Sequence, residues 1–152
     1  MEKTILLVKR LTPTAKLPVR EHPDDAGLDL FVDEVEVPDW QFYPYVAIFK
    51  SNLAFCVTSP GVHMLDGRAR SSIYKRFMVP CNGCGVIDVG YRGSVNLMCY
   101  CLDFRAKKYE VGERFMQLLL PGSVDPGSIE VREVDELPEG TRGANGFGST
   151  GV

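Results

Sequence analysis

The sequence predicts an all-β fold, a distorted jelly-roll barrel with one short helix, on three observations. Apolar residues recur at every second position in short runs, the period of half-buried strands. Ten prolines and fifteen glycines cut those runs into pieces. No long stretch carries a helical stripe with a capping residue ahead of it. Many short strands separated by frequent turns pack as a sandwich or close as a barrel.

In chain order, the alternation predicts strands through Leu28, Leu30 and Val32, through Val35 and Val37, through Leu53, Phe55 and Val57, and through Val95, Leu97, Cys99 and Cys101. The one helix is expected over 71–77. The last third reads as a strand over 114–120, a turn over 121–128, a strand over 129–134, and an acidic segment over 135–139. There the composition changes, which divides the chain into a β-barrel domain over 1–140 and a flexible glycine-rich lid over 141–152. No internal repeat or low-complexity segment interrupts this order.

With 152 residues, 45% of them hydrophobic and 24% charged, the chain suits one domain with its own core. A net charge of -3 gives no electrostatic reason to expect a nucleic-acid polymer as partner. No apolar run is long enough to span a bilayer, and the apolar core of the first residues is too short for a secretory signal. The expectation is a soluble, cytoplasmic protein without membrane contact. The five cysteines, at 56, 81, 84, 99 and 101, are odd in number and irregularly spaced, which fits reduced thiols. Cys81 and Cys84 have the spacing of half a zinc site. Cys99 and Cys101 share one strand face and suit the other half poorly, so a reduced, packed pair is favoured over zinc.

The tail Arg142-Gly-Ala-Asn-Gly-Phe-Gly-Ser-Thr-Gly151 places four glycines, an arginine, a lone aromatic and two adjacent hydroxyls in ten residues. Glycines let backbone N–H groups approach an anion, and hydroxyls donate to phosphate oxygens. Arg142 supplies a bidentate charge and Phe147 a flat face for a base. A nucleoside triphosphate satisfies all four, although such a segment standing alone reads first as a disordered glycine-rich terminus. Upstream, Asp88 and Tyr91 flank a turn at Val89 and Gly90, expected to form a hairpin between a strand ending at Ile87 and one starting near Ser94. Its backbone offers donors and acceptors to an intruding base.

Five segments stand in order: Ala26-Gly-Leu-Asp-Leu30, Gly67-Arg-Ala-Arg-Ser-Ser72, Gly85-Val-Ile-Asp-Val-Gly-Tyr-Arg-Gly93, Gly112-Glu-Arg-Phe-Met-Gln-Leu118, and the tail. In order and spacing they resemble the five motifs of the homotrimeric all-β deoxyuridine triphosphatase family, over nearly the whole chain. The resemblance implies hydrolysis of dUTP to dUMP and diphosphate with Mg2+ in a homotrimer with shared sites, the tail of one subunit closing a pocket formed by two others. It implies that the main chain of Gly85, Val86 and Ile87 pairs with uracil and that the ring of Tyr91 excludes a 2′-hydroxyl. Phe147 would cover the base. Asn82 would touch the base or hold a turn.

By the same resemblance, Asp88 orients or deprotonates the water that attacks the α-phosphorus. An ordinary carboxylate titrates near about pH 4 and is a weak base, so magnesium and a dry site supply much of the effect. Arg70, Ser71, Ser72, Gln117, Arg142, Gly148, Ser149 and Thr150 would bind phosphates. Asp29 would hold a magnesium-bound water or a structural arginine, and Arg114 would be such an arginine. Magnesium would be held by phosphates and water, with no direct protein ligand.

Four departures from the family pattern fall at Ala69, Ser72, Gly90 and Ser94, and Phe115 and Met116 replace smaller residues. Altered affinity or stability is expected, with activity retained. A deoxycytidine triphosphate deaminase has a similar fold but needs a glutamate between 94 and 103, where this chain has none. The other alternative is a binding module of this fold with a regulatory protein partner. For it, segment 38–47, with Trp40, Phe42, Tyr43 and Tyr45, is an exposed aromatic surface, or else those rings pack on the core or at a trimer contact.

Overall fold

The computed structural model describes residues 3–38, 42–123 and 125–146. Eleven strands are found among them: β1 (Thr4–Arg10), β2 (Leu28–Phe31), β3 (Glu34–Glu36), β4 (Tyr45–Lys50), β5 (Leu53–Val57), β6 (Met64–Ala69), β7 (Met78–Pro80), β8 (Gly85–Asp88), β9 (Asn96–Cys101), β10 (Arg114–Leu119) and β11 (Ile129–Glu133). They form three sheets, ordered β11-β1-β5, β2-β10-β6-β8 and β3-β4-β9-β7. The fold is the expected all-β jelly roll. Most neighbouring strands are non-consecutive, and the parallel pair β1 with β11 joins the first strand to the last.

The core collects the inward half of each alternation. Leu6 and Val8 enter from β1, Ala47 and Phe49 from β4, Leu97, Cys99 and Cys101 from β9, and Phe115 and Leu118 from β10. Phe49 meets Tyr109 edge-on, with ring centroids 5.2 Å apart, and such aromatic pairs add to the stabilisation from burial alone.

Several local expectations need correction. The helix is a 3-10 helix, Ser71–Arg76. Phe77 ends it in the left-handed conformation (φ 51°), where Arg105 lies 4.3 Å over its ring. β5 does not alternate, since Leu53, Ala54, Phe55 and Cys56 are all buried. One face meets the core, and Arg92 lies against Cys56 on the other. Val37 lies outside β3 and is 42% exposed, because the strand ends at Glu36, two residues before Pro38. Strands β1, β4, β6 and β7 add to those the alternation predicts. In segment 38–47, Trp40 lies outside the described residues. Phe42 is 81% and Tyr43 51% exposed, and Tyr45 is half-buried with its ring 5.1 Å from that of Tyr43.

Candidate active site

β8 is an edge strand, bonded to β6 on one side only, so alternate N–H and C=O groups of 85–88 have no strand partner. Beside it opens a cavity of about 180 Å3 lined by Asn82, residues 85–88, Tyr91 and Ser94, with Gly67 and Met116 beneath. Close approach explains Gly85, where a β-carbon would stand 2.9 Å from the carbonyl oxygen of Gly67.

The turn after β8 closes through Tyr91 N donating to Asp88 O (2.9 Å). It is not a hairpin. β8 pairs with β6, whereas β9 pairs with β4 and β7, so residues 89–95 carry the chain from one sheet to another. Their anchor is Val95, whose N–H donates to Leu53 O (3.1 Å) and whose carbonyl accepts from Ser51 Oγ (2.7 Å). Tyr91 folds back across this corner and donates its hydroxyl to Ser94 O (3.1 Å). Burial pushes its phenol above the ordinary tyrosine value, so the ring is neutral near pH 7.

The start of the tail lies on this turn. Arg142 forms an ion pair with Asp88, and Gly143 forms a parallel bridge with Tyr91, its carbonyl accepting from Arg92 N at 2.6 Å. Gly90 makes room for the crossing: a β-carbon there would lie 2.9 Å from Thr141 Oγ1. Phe147, Gly148, Ser149 and Thr150 lie outside the described residues.

A second cluster lies farther along the same sheet. In β10, Met116 lines the cavity, while Gln117 stands between its cross-strand neighbours Asp29 and Arg68. Asp29 is 5% exposed. Arg70 Nε lies 3.3 Å from its Oδ1, and Arg114 Nη1 3.1 Å from its Oδ2. Arg114 also reaches Glu21 at 2.8 Å. Of the two expectations for Asp29, the arginine contact is the one present. Ser71 and Ser72 are exposed at the start of the 3-10 helix, whose first hydrogen bond, Ile73 N to Arg70 O (3.0 Å), leaves their amides ahead of it.

The substituted positions are absorbed locally. Ser94 Oγ accepts from Asn52 N (3.1 Å) and donates to Asn96 Oδ1 (2.6 Å), and Phe115 and Met116 are buried in the core. Sequence reasoning missed Met116, Ser94 and Asn96 as cavity walls. Strand alternation against Gln117 was a signal for the first. It also missed Arg92, whose partners only the fold reveals. Among the described residues no three His, Cys, Asp or Glu side chains gather as a metal site. Asp29 Oδ1 is a buried oxygen without a hydrogen-bond donor, which suits an acceptor for a metal-bound water.

A base-sized cavity on a sheet edge, an acid and an arginine at its rim, and arginines with free amides farther along the same sheet define a jelly-roll nucleotide-binding protein. The dUTPase family profile matches residues 14–151. The deoxyuridine 5'-triphosphate nucleotidohydrolase of Clostridium novyi (strain NT) is 34% identical over 149 residues, covering 97% of this chain and 99% of that protein. That of Corynebacterium diphtheriae is 35% identical over 153 residues, covering 98% and 94%. The structure of Staphylococcus bacteriophage 80alpha dUTPase with dUPNHPP superposes with a TM-score of 0.64 at 27% identity, covering 97% and 98%. The chain belongs to the dUTPase family.

Proposed function

We propose that this chain hydrolyses dUTP to dUMP and diphosphate. The observation that carries the reading is the pairing of an open strand edge with Asp88 and Tyr91 around one cavity. Uracil presents a carbonyl, an N–H and a carbonyl along one edge, which the free backbone groups of Gly85, Val86 and Ile87 complement, with Asn82 alongside. Cytosine would face a donor with its amino group, and an unpaired buried donor is costly. The ring of Tyr91 fills the space that a 2′-hydroxyl would need.

Asp88 accepts a proton from the water whose oxygen bonds to the α-phosphorus. The bond from that phosphorus to the oxygen bridging to the β-phosphorus breaks, and diphosphate leaves. Arg142 meets phosphate from the tail, with Gly148, Ser149 and Thr150 over the γ-phosphate and Phe147 over the base. Arg70, Ser71, Ser72 and Gln117 hold the remaining oxygens, and Arg114 keeps Asp29 and Arg70 in place. When bound with the triphosphate, magnesium would neutralise charge on the phosphate oxygens, and Asp29 would be the residue to accept from one of its waters.

Membership of the dUTPase family supports a homotrimer with shared sites and a lid over 141–152. No helix among the described residues is long and apolar enough to cross a membrane, and we place the activity with the nucleotide pool of the cytoplasm.

The test is diphosphate release from dUTP, dCTP, dTTP and UTP with magnesium, for the chain, for Asp88→Asn and for a truncation before Arg142. Turnover is expected for dUTP only and lost in both variants. A chain that binds dUTP tightly without turning it over would make it a binding module instead.

A further inference from the structure

Arg68 has no role in the reading above, yet it stands in the row that the phosphate-binding groups occupy. Gln117 of β10 pairs with Asp29 of β2 on one side and with Arg68 of β6 on the other, and paired side chains on adjacent strands have β-carbons about 4.5–5.5 Å apart. Arg70 follows β6 in an extended conformation (φ -66°, ψ 149°). Arg68 and Arg70, two positions apart, therefore project to the same side of the chain.

The side chain of Arg68 is held ready. Its Nε donates to Asp66 Oδ2 (2.8 Å), and its Nη2 lies 2.7 Å from the same oxygen. Asp66 is only 4% exposed, whereas the Arg68 side chain is 53% exposed. One edge of the guanidinium thus rests on a buried carboxylate, and among the described residues Nη1 donates to no protein acceptor. With Ala26 and Ser123, the pair lines an open cavity of about 400 Å3, which leaves room for ligand oxygens beside it. A planar fork fixed along one edge by a carboxylate presents its other donors to an anion, and phosphate oxygens match that geometry.

We propose that Arg68 is a further phosphate-binding residue, which takes oxygens of the β- and γ-phosphates beside Gln117. The proposal rests on the reading of Arg70 and Gln117 as phosphate-binding groups in dUTP hydrolysis. The α-phosphorus has to stand near Asp88, at the cavity of one copy, so the cluster on a neighbouring copy meets the outer phosphates. Their oxygens gain negative charge as the bridging bond breaks. A guanidinium already oriented by Asp66 meets that charge without first having to be ordered.

The experiment measures equilibrium binding of dUPNHPP, dUMP and inorganic diphosphate, each with magnesium, to the full chain and to Arg68→Gln, together with steady-state hydrolysis of dUTP. Because Arg68→Gln leaves Asp66 buried without its cation, the double variant Asp66→Asn/Arg68→Gln, which puts an uncharged amide pair in its place, is measured alongside. The Kd values for dUPNHPP and for diphosphate are expected to rise about 10- to 100-fold in both variants, with that for dUMP within about twofold of wild type. A fall of similar size is expected in kcat/KM for dUTP. A dUPNHPP affinity within about twofold of wild type in the double variant overturns the proposal. So does a loss of equal size for dUMP and dUPNHPP, which would mark Arg68 as a support for the fold alone. Wild-type turnover of dUTP that neither variant diminishes overturns only the proposal, whereas a wild-type chain that binds diphosphate through Arg68 but leaves dUTP intact overturns only the hydrolytic reading.

Discussion

Met116 and Gln117 are consecutive residues of β10 that serve opposite faces of one sheet, Met116 at the cavity beside Asp88 and Gln117 between Asp29 and Arg68. In the proposed trimer, a base in the cavity of one copy and phosphates on Arg70 and Gln117 of another belong to one ligand. Asp88→Asn and Arg70→Ala chains, each inactive alone, should complement when unfolded and reassembled together. Random reassociation leaves one intact site in each mixed trimer, so about a quarter of wild-type activity is expected. A mixture as inactive as its components would place both groups on one chain.

Gly90 is bare where Thr141 crosses it. Gly90→Ala should push the tail root outward and lower kcat/KM for dUTP by about 3- to 10-fold. The melting temperature should stay within about 2 °C, as for surface changes away from the core. In a chain cut before Arg142 the same substitution should have no kinetic effect. An equal effect with and without the tail would show that Gly90 acts on the turn itself.

Asp29 is buried between Arg70 and Arg114. Asp29→Ala would leave two guanidinium groups facing each other, and is expected to destabilise the chain by on the order of 2–3 kcal/mol in urea denaturation, less than a fully buried pair because both arginines remain partly solvated. Arg114→Ala combined with it should recover part of the loss. Strict additivity would mean that the ion pair carries no coupling.

Cys99 is fully buried, and burial pushes its thiol up to about 12. The unfolded thiol titrates near the ordinary cysteine value of 9.0, so the folded state binds the proton more tightly between these values. Its contribution to stability is present below pH 9 and lost as pH rises through that window, with a slope approaching about 1.4 kcal/mol per pH unit. Thermal melts from pH 8 to about pH 11 should fall more steeply for wild type than for Cys99→Ala. Parallel profiles would show that Cys99 does not ionise on unfolding.

What could be read in the residues was periodic or compositional. Leu28 with Leu30, Leu53 with Phe55, and Cys99 with Cys101 announce strands because a side-chain period of two is a local property of extended chain. The run of glycines from 143 onward announces a segment that cannot be core. Asp88, Tyr91 and Arg142 were legible as candidates for the same reason, each set in a short motif of fixed spacing. Arg92 was not. A guanidinium that binds Pro138, Phe55, Val89 and Tyr91 carbonyls has partners 46 and 37 residues away as well as beside it, and no spacing rule encodes such contacts.

The sequence by itself therefore determined the all-β class and the chemical groups available for a nucleotide, since these follow from local sterics, hydrophobic alternation and side-chain chemistry. Only the tertiary structure decided that turn 88–91 joins two sheets instead of closing a hairpin. It alone set Gln117 between Asp29 and Arg68 and laid the tail root on Gly90. Those outcomes depend on which strands pair and in which register, and pairing is settled by the burial of side chains far apart in the chain.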